Sequence, residues 1–241
     1  MREMVLHAAS EEHDGMDVDL RTGWTAQQVR DAERPLLDAG EPLMAVAAAG
    51  LAREARRVLE ARGARAGRVL VLVGTGSNGG DALYAAAELA RAGSPVVVAR
   101  LGRRAHEPAL RAVERAGARV LPPDAIAGAI AAEAARAALV LDGILGTGAR
   151  GGLRSPARQV VARLLEQGGP RGAVVAVDLP SGVDPDTGAV AGPSLRADAT
   201  VTFGAVKAGL LRPPGRSRAG RLVLVDIGLG PHLAAPAVRA R

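Results

Sequence analysis

The stretch Arg68-Val-Leu-Val-Leu-Val-Gly-Thr-Gly-Ser-Asn-Gly-Gly-Asp81 decides the fold of this chain. Val69 to Val73 is an unbroken, Val-rich apolar run, which reads as a strand buried on both faces, as in a parallel sheet. The run stops at Gly74, four glycines fall within seven residues, and Asp81 closes the loop. From Ala82 the spacing turns helical: Leu83, Ala86, Leu89 and Ala90 share one face, and Gly93 stands where a C-cap belongs. Strand, glycine loop and helix in this order cradle anions, because glycine lets backbone amides approach a ligand and a helix N-terminus favours negative charge.

Gly74, Gly76 and Gly79 fit Gly-x-Gly-x-x-Gly. No Lys-Ser/Thr follows the last glycine, which excludes a Walker phosphate loop. A dinucleotide fold asks for an acidic residue about 20 positions further on, at the end of the next strand. That strand, Pro95 to Leu101, ends instead in Arg100, with Arg103 and Arg104 behind it. Ordinary NAD binding is thereby disfavoured, and the arginines read as a solvated strand end.

Strand and helix alternate onward from this unit. Strands are expected at Val69–Val73, Val96–Leu101, Arg119–Leu121, Leu139–Asp142, Ala173–Asp178, Ala199–Phe203 and Leu222–Ile227, with helices near 82–92, 108–116, 124–137 and 156–167. Such alternation implies a parallel sheet covered by helices on both faces. Two helices precede it. Thr25 opens the first with a capping box to Gln28, and Pro35 is expected to end or kink it. The second runs from Leu43 to Arg62 on a stripe of Met44, Ala47, Leu51, Ala55, Val58 and Leu59. Residues 1–22 read as a polar tail, 23–230 as one domain and 231–241 as a loose C-terminal tail.

Composition narrows the function. At 241 residues the chain suits one large α/β domain. It has no cysteine, which removes disulfides, Cys-zinc sites and thiol nucleophiles. Trp24, Tyr84 and Phe203 are the only aromatics, too few for base-stacking platforms. The net charge of +6 is arginine interleaved with acids; it gives little support to nucleic-acid binding and suits a phosphorylated small molecule equally well. Lys207 is the only lysine among 31 basic residues, which singles out a position for a compact ammonium. No run reaches 18 apolar residues and the N-terminus lacks a signal-peptide core, so a soluble, cytoplasmic protein without membrane contact is expected.

In a parallel sheet all strand C-termini open on one edge, where ligands bind. Three such ends carry unusual chemistry: Gly74 to Asp81; Asp142 to Gly152, which repeats the glycine pattern at Gly146, Gly148 and Gly151; and Val177 to Gly188. Each holds a carboxylate, Asp81, Asp142 and Asp178, at a place where burial and neighbours tune pKa. One aspartate at a strand end is most simply a turn cap, but three converging loops, two of them glycine cradles, indicate a site. Asp184 and Asp186 read as a solvated turn around Pro185. His7, His13, His106 and His232 show no metal spacing, and no Ser-His-Asp arrangement is legible.

Taken together, Gly74-Thr-Gly-Ser-Asn-Gly-Gly-Asp81, Asp142-x-x-x-Gly-Thr-Gly-x-Arg-Gly151, Val177-Asp-Leu-Pro-Ser-Gly-Val183, Thr202-Phe-Gly-Ala-Val-Lys-Ala-Gly-Leu210 and Val225-Asp-Ile-Gly-Leu229 resemble the NAD(P)H-hydrate epimerase family, the YjeF N-terminal domain. The segments keep the family's order, from about Thr25 to Leu229. The resemblance implies a three-layer Rossmann-like α/β fold, a homodimer, and a potassium ion (K+) at Asn78, Asp142 and Ser181. It places substrate against Ser77, Asn78, Gly79, Gly80 and Asp81, against Gly146, Thr147, Gly148, Ala149, Arg150, Gly151 and Gly152, and against Asp178. Oxygen-only ligation fits a hard cation. Four positions depart from the family's habit: Ser77 where Asn is frequent, Ala82 where Gly is, and Gly152 and Val206 where Pro is. Ala82 is expected to narrow the approach at the helix start.

What the resemblance implies chemically is epimerisation of hydrated NADH or NADPH (NADHX, NADPHX) at the C6 hydroxyl of the nicotinamide ring. Asp178 is the candidate acid/base, and Lys207 is assigned to the ring amide or a phosphate. Two other readings stand beside it: a related domain that binds ligand or acts as a scaffold without catalysis, and an NADP-dependent reductase. Retention of Asn78, Asp142, Asp178 and Ser181 speaks against the first, and the missing fingerprint acid against the second. The chain leaves no room for the dehydratase domain fused to some relatives, so a separate ADP- or ATP-dependent dehydratase is expected in the same pathway.

Overall fold

The computed structural model describes residues 20–122, 127–148 and 150–240. In chain order it contains β1 (Thr22–Gly23), α1 (Ala26–Asp38), α2 (Leu43–Ala61), β2 (Val69–Val73), α3 (Ser77–Arg91), β3 (Val96–Arg100), α4 (Glu107–Arg115) and β4 (Arg119–Val120). The second half holds α5 (Ala127–Arg136), β5 (Leu139–Gly143), α6 (Ala157–Glu166), β6 (Ala173–Val177), β7 (Ala199–Phe203), α7 (Gly215–Ala219), β8 (Arg221–Val225) and β9 (Val238–Arg239).

Seven strands form one sheet in the order β4-β3-β2-β5-β6-β7-β8, all parallel. The expected parallel α/β architecture is therefore present. β2 sits inside the sheet because nothing polar interrupts it: all five residues are at most 1% exposed. Burying each Val or Leu contributes about 1.5–3 kcal/mol relative to leaving it in water. Val69, Val71 and Val73 face the core shared with α2, α3 and α4, while Leu70 and Leu72 face the core under α5 and α6. A smaller cluster packs Leu179, Val206, Leu210 and Leu222 beside α7. Chain direction across the sheet reverses between β2 and β5, which opens a crevice at their C-terminal ends.

α3 begins at Ser77, five residues before the helical periodicity emerges in the sequence. Glycine costs about 1 kcal/mol per residue in a helix relative to alanine, so propensity places the start late. Packing overrides it: a Cβ on Gly79 would lie 2.5 Å from the Gly74 carbonyl oxygen, and only glycine lets the helix sit that close. Ala82 is fully buried in the core rather than facing the cradle, so it does not narrow the approach.

α1 carries the expected capping box: Gln28 N–H donates to Thr25 Oγ1 (3.2 Å) and Thr25 N–H to Gln28 Oε1 (2.9 Å). Pro35 does not end the helix, which continues to Asp38. The carbonyl that the proline leaves without its N–H partner belongs to Asp31, on the exposed side, where the lost bond is not buried away from solvent.

The C-terminal segment is not loose. β9 pairs antiparallel with β1, Trp24 Nε1–H donates to the Ala234 carbonyl (2.8 Å), and Gln28 Nε2–H to that of Ala235 (2.8 Å). Two-residue strands are too short to show a period, so the sequence hides this strap. Trp24 also exchanges backbone hydrogen bonds with Val206 and Ala208, which clamps the segment carrying Lys207. Residues 1–19, with most of the expected polar tail, and the first residues of the helix expected from 124 lie outside the described residues. No helix among the described residues is long and apolar enough to cross a membrane.

Candidate active site

The crevice is walled by the loops after β2, β5, β6 and β7, and its centre is Asp178. This is the one non-glycine residue with positive φ among those described (65°). The Leu179 N–H donates back to the Val177 carbonyl (2.7 Å) across it, closing a three-residue turn. Such a conformation costs about 1–3 kcal/mol and persists only where its surroundings fix it. They do so here. Asp178 Oδ1 accepts from Lys207 Nζ (2.5 Å) and Thr202 Oγ1 (3.2 Å), and Oδ2 from the Thr147 amide (3.2 Å).

Lys207 is 2% exposed. Its ammonium has three N–H donors, and they meet Asp178 Oδ1, Thr202 Oγ1 (3.1 Å) and the Phe203 carbonyl (2.9 Å). No donor remains for a ring amide or a phosphate. The expected substrate contact is corrected to an anchor that holds Asp178.

Asp81, one turn into α3, is 8% exposed, and its carboxyl makes no hydrogen bond or ion pair among the described residues. Burial, then the nearby Asp178 and Glu33 carboxylates, push its pKa up to about 8 against the opposing pull of Lys207. The protonated form is thereby favoured well above the usual carboxylate range. Burial also raises Glu33; Lys207 opposes this, Asp178 reinforces it, and Arg30 opposes it. Arg30 Nη1–H donates to the Thr147 carbonyl (3.2 Å). α1 is thus a wall of the site that the sequence reading missed. A signal was present: Arg30 and Glu33, three apart, flank the buried Val29 and Ala32.

The second loop joins the first and third. Leu145 N–H donates to Ser181 Oγ (3.0 Å), Ser181 Oγ–H to Asp142 Oδ1 (2.6 Å), and Ser181 N–H to Asp142 Oδ2 (2.9 Å). Burial raises the Asp142 pKa, opposed by the Ser181 hydroxyl and amide and by the Ile144 amide. Both polar side-chain atoms of Asn78 are buried without a partner, and a Cβ on Gly146 would lie 2.9 Å from Asn78 Oδ1. An unsatisfied buried amide costs about 1–3 kcal/mol, so the site is built for something that supplies the missing interaction. The oxygens of Asn78, Asp142 and Ser181 fit a hard monovalent cation such as potassium.

The structure therefore brings Asn78, Asp81, Asp142, Gly146, Thr147, Asp178, Ser181 and Lys207 to one edge of the sheet. Ser77, Gly148, Arg150 and Gly151 are exposed at the mouth, Gly152 is half-buried, and Gly79 and Gly80 are buried behind. Ala149 lies outside the described residues. His106 caps α4, its Nδ1 accepting from the Ala109 amide (3.3 Å), with its ring edge-on to Tyr84. The turn at Asp184 is not merely solvated. Burial alone raises the Asp184 pKa, but the Thr187 amide and hydroxyl, the Asp186 amide and nearby Arg150 together hold it below the usual carboxylate value. Asp186 Oδ1 accepts from the Ala26 amide (2.6 Å) and ties down the start of α1.

The family model described as YjeF-related protein N-terminus matches residues 40–209. A Clavibacter michiganensis protein named NAD(P)H-hydrate epimerase is 53% identical over 226 residues, 90% of this chain and 95% of its own length. A Microbacterium testaceum protein of the same name is 50% identical over 96% of this chain and 89% of its own. A Mycobacterium tuberculosis bifunctional NAD(P)H-hydrate repair enzyme is 42% identical over 87% of this chain but only 42% of its own length. The crystal structure of yeast ynu0 has the same fold, with a TM-score of 0.67 at 23% identity, over 78% of this chain and 82% of its own. By sequence and by fold, the chain belongs to the YjeF-related protein N-terminus family.

Proposed function

We infer that the chain interconverts the R and S forms of hydrated NADH and NADPH at the C6 hydroxyl, a repair step for damaged nicotinamide cofactor. The observation that carries this is the strained, fully anchored Asp178 in a crevice lined by two glycine loops, in a chain 53% identical to a protein named NAD(P)H-hydrate epimerase. C6 bears a hydroxyl next to the ring nitrogen, so it is a hemiaminal carbon. Protonation of the hydroxyl lets the nitrogen lone pair expel water and leave an iminium; water returning on the other face gives the other epimer. Asp178 is positioned to hold or move a proton at the C6 oxygen. The amides at the α3 N-terminus and in the second glycine loop favour the anionic diphosphate. A silent binding module has no use for a strained aspartate fixed by an ion pair, which is why the catalytic reading is preferred.

The residues that would hold the potassium ion are Asn78, Asp142 and Ser181, where the bound ion would supply a fixed positive charge beside the substrate loops. If it binds the folded state alone, potassium should stabilise the protein by about 2.7 kcal/mol at a hundredfold excess over its dissociation constant. A higher melting temperature in potassium than in a bulky organic cation at equal ionic strength is the expected result; superimposed curves would remove the ion from the site.

A homodimer is the expected assembly. The dehydration step that follows epimerisation is assigned to a separate ADP- or ATP-dependent dehydratase. The function itself is tested by adding the purified chain to R-NADHX and following the S epimer by chromatography. Formation no faster than in buffer would overturn the assignment.

A further inference from the structure

Inversion at C6 takes water off one face of the ring and returns it to the other, so a proton must be delivered on one side and removed on the opposite side. Asp178 stands on the β6 side of the crevice, and a single fixed carboxylate reaches one face. Asp81 enters from the β2–α3 side. It is 92% buried, the complement of its 8% exposure. It makes no hydrogen bond or ion pair among the described residues, although the fold surrounds it with Asp178, Lys207 and, from α1, Glu33 and Arg30. From α4, His106 backs the neighbouring Gly80. A carboxyl with no partner, beside an Asp178 and a Lys207 that are fully bonded, is poised for a ligand.

Building on the epimerase reading, we propose that Asp81 is a second catalytic residue, transferring a proton at the C6 oxygen on the ring face opposite Asp178. In one direction the Asp81 carboxyl gives its proton to the C6 hydroxyl. The C6–O bond breaks, its electron pair leaves with water, and the N1 lone pair forms the N1=C6 bond. Water then adds to the other face: its oxygen forms the new C6–O bond, the π pair returns to N1, and the released proton goes to the Asp178 carboxylate. One water is lost and one gained. The enzyme ends with Asp81 ionised and Asp178 protonated, the form that processes the other epimer, and solvent exchange resets it. Burial and neighbouring carboxylates keep Asp81 protonated up to about pH 8, as a proton donor at neutral pH requires, while Asp178 is ion-paired to Lys207. A buried, unpartnered carboxyl facing an ion-paired one is an arrangement that assigns acid and base.

Oxygen exchange separates this role from a structural one. The Asp81→Asn variant, given R- or S-NADHX labelled with ¹⁸O at the C6 hydroxyl, should lose inversion by roughly 10²–10⁴-fold. It should still wash label out of one epimer, the one whose hydroxyl faces Asp178, without inverting it. The variant should also be well folded. A carboxyl whose pKa rises from 3.8 to about 8 on folding contributes stability below the lower value and loses it as pH climbs to the upper one. Asp81→Asn should therefore melt above wild type at pH 8, with the gap closing towards pH 4. Inversion within tenfold of wild type would overturn the proposal, as would equal loss of exchange from both epimers. A wild-type protein that does not interconvert the epimers would overturn the underlying epimerase reading, and this proposal with it.

Discussion

Asp178→Asn is expected to reduce epimerisation by roughly 10²–10⁴-fold, the usual effect of removing one positioned acid/base. Asparagine is nearly isosteric and can occupy the same turn, but it has one acceptor oxygen where Asp178 uses two, Oδ1 for Thr202 and Oδ2 for the Thr147 amide, and it cannot exchange a proton. The loss should be in turnover more than in KM, because the glycine loops that take the diphosphate are untouched. The substitution also has a structural consequence that the sequence alone does not reveal. It leaves the Lys207 ammonium, 2% exposed, with neutral acceptors only. Removing one partner of a buried ion pair typically costs about 3–5 kcal/mol, so this variant should be both slow and less stable. Turnover must then be measured well below its melting temperature. Asp38→Asn is a suitable control, since Asp38 is exposed at the end of α1 and such surface changes stay within about 0.5 kcal/mol. Wild-type turnover in Asp178→Asn would move the chemistry away from this residue.

Much of the fold is legible because it rests on local pattern. The strand Val69–Val73 emerges with the bounds read from sequence, since a strand buried on both faces needs an unbroken apolar run. Edges were less legible where tertiary contact outweighs propensity. Gly79 lies inside α3 because the helix presses against the loop it leaves, and Gly80 because it faces His106 and Met44; propensity carries no record of either contact. The C-terminal strap escaped notice because β9 pairs with β1 more than 200 residues earlier.

The site divides in the same way. Glycine cradles and strand-end aspartates advertise themselves through composition and spacing, so the convergence of Asp81, Asp142 and Asp178 followed from parallel topology alone. Which way a side chain points did not follow. Lys207 looked like a ligand contact because it is the chain's lone lysine, yet its ammonium turns inward to Asp178. Glu33 and Arg30 enter the site because core packing of Val29 and Ala32 and the Asp186 bond to the Ala26 amide, 160 residues away, fix α1. No local pattern encodes a contact of that span.

The Lys207–Asp178 pair makes the second large effect separable from the first. Lys207→Met keeps the length and apolar stem of the side chain but removes the charge, leaving Asp178 buried at 5% exposure with only Thr202 and the Thr147 amide as donors. The expected cost is about 3–5 kcal/mol, which in a chain of this size lowers the melting temperature by about 2–4 °C per kcal/mol. The double variant Asp178→Asn with Lys207→Met buries no unpaired charge. It should therefore be more stable than either single variant, the two changes coupling by an amount comparable to the single loss. Catalysis should not follow stability: the double variant regains the melting temperature and remains as slow as Asp178→Asn, because the proton-transferring group is still missing. Lys207→Arg should not rescue, since the planar fork cannot match three acceptors arranged for a compact ammonium. Additive stability losses in the double variant would show that the two side chains are not an interdependent pair. Near-normal turnover in Lys207→Met would show that the ammonium is not needed to hold Asp178 ready for reaction.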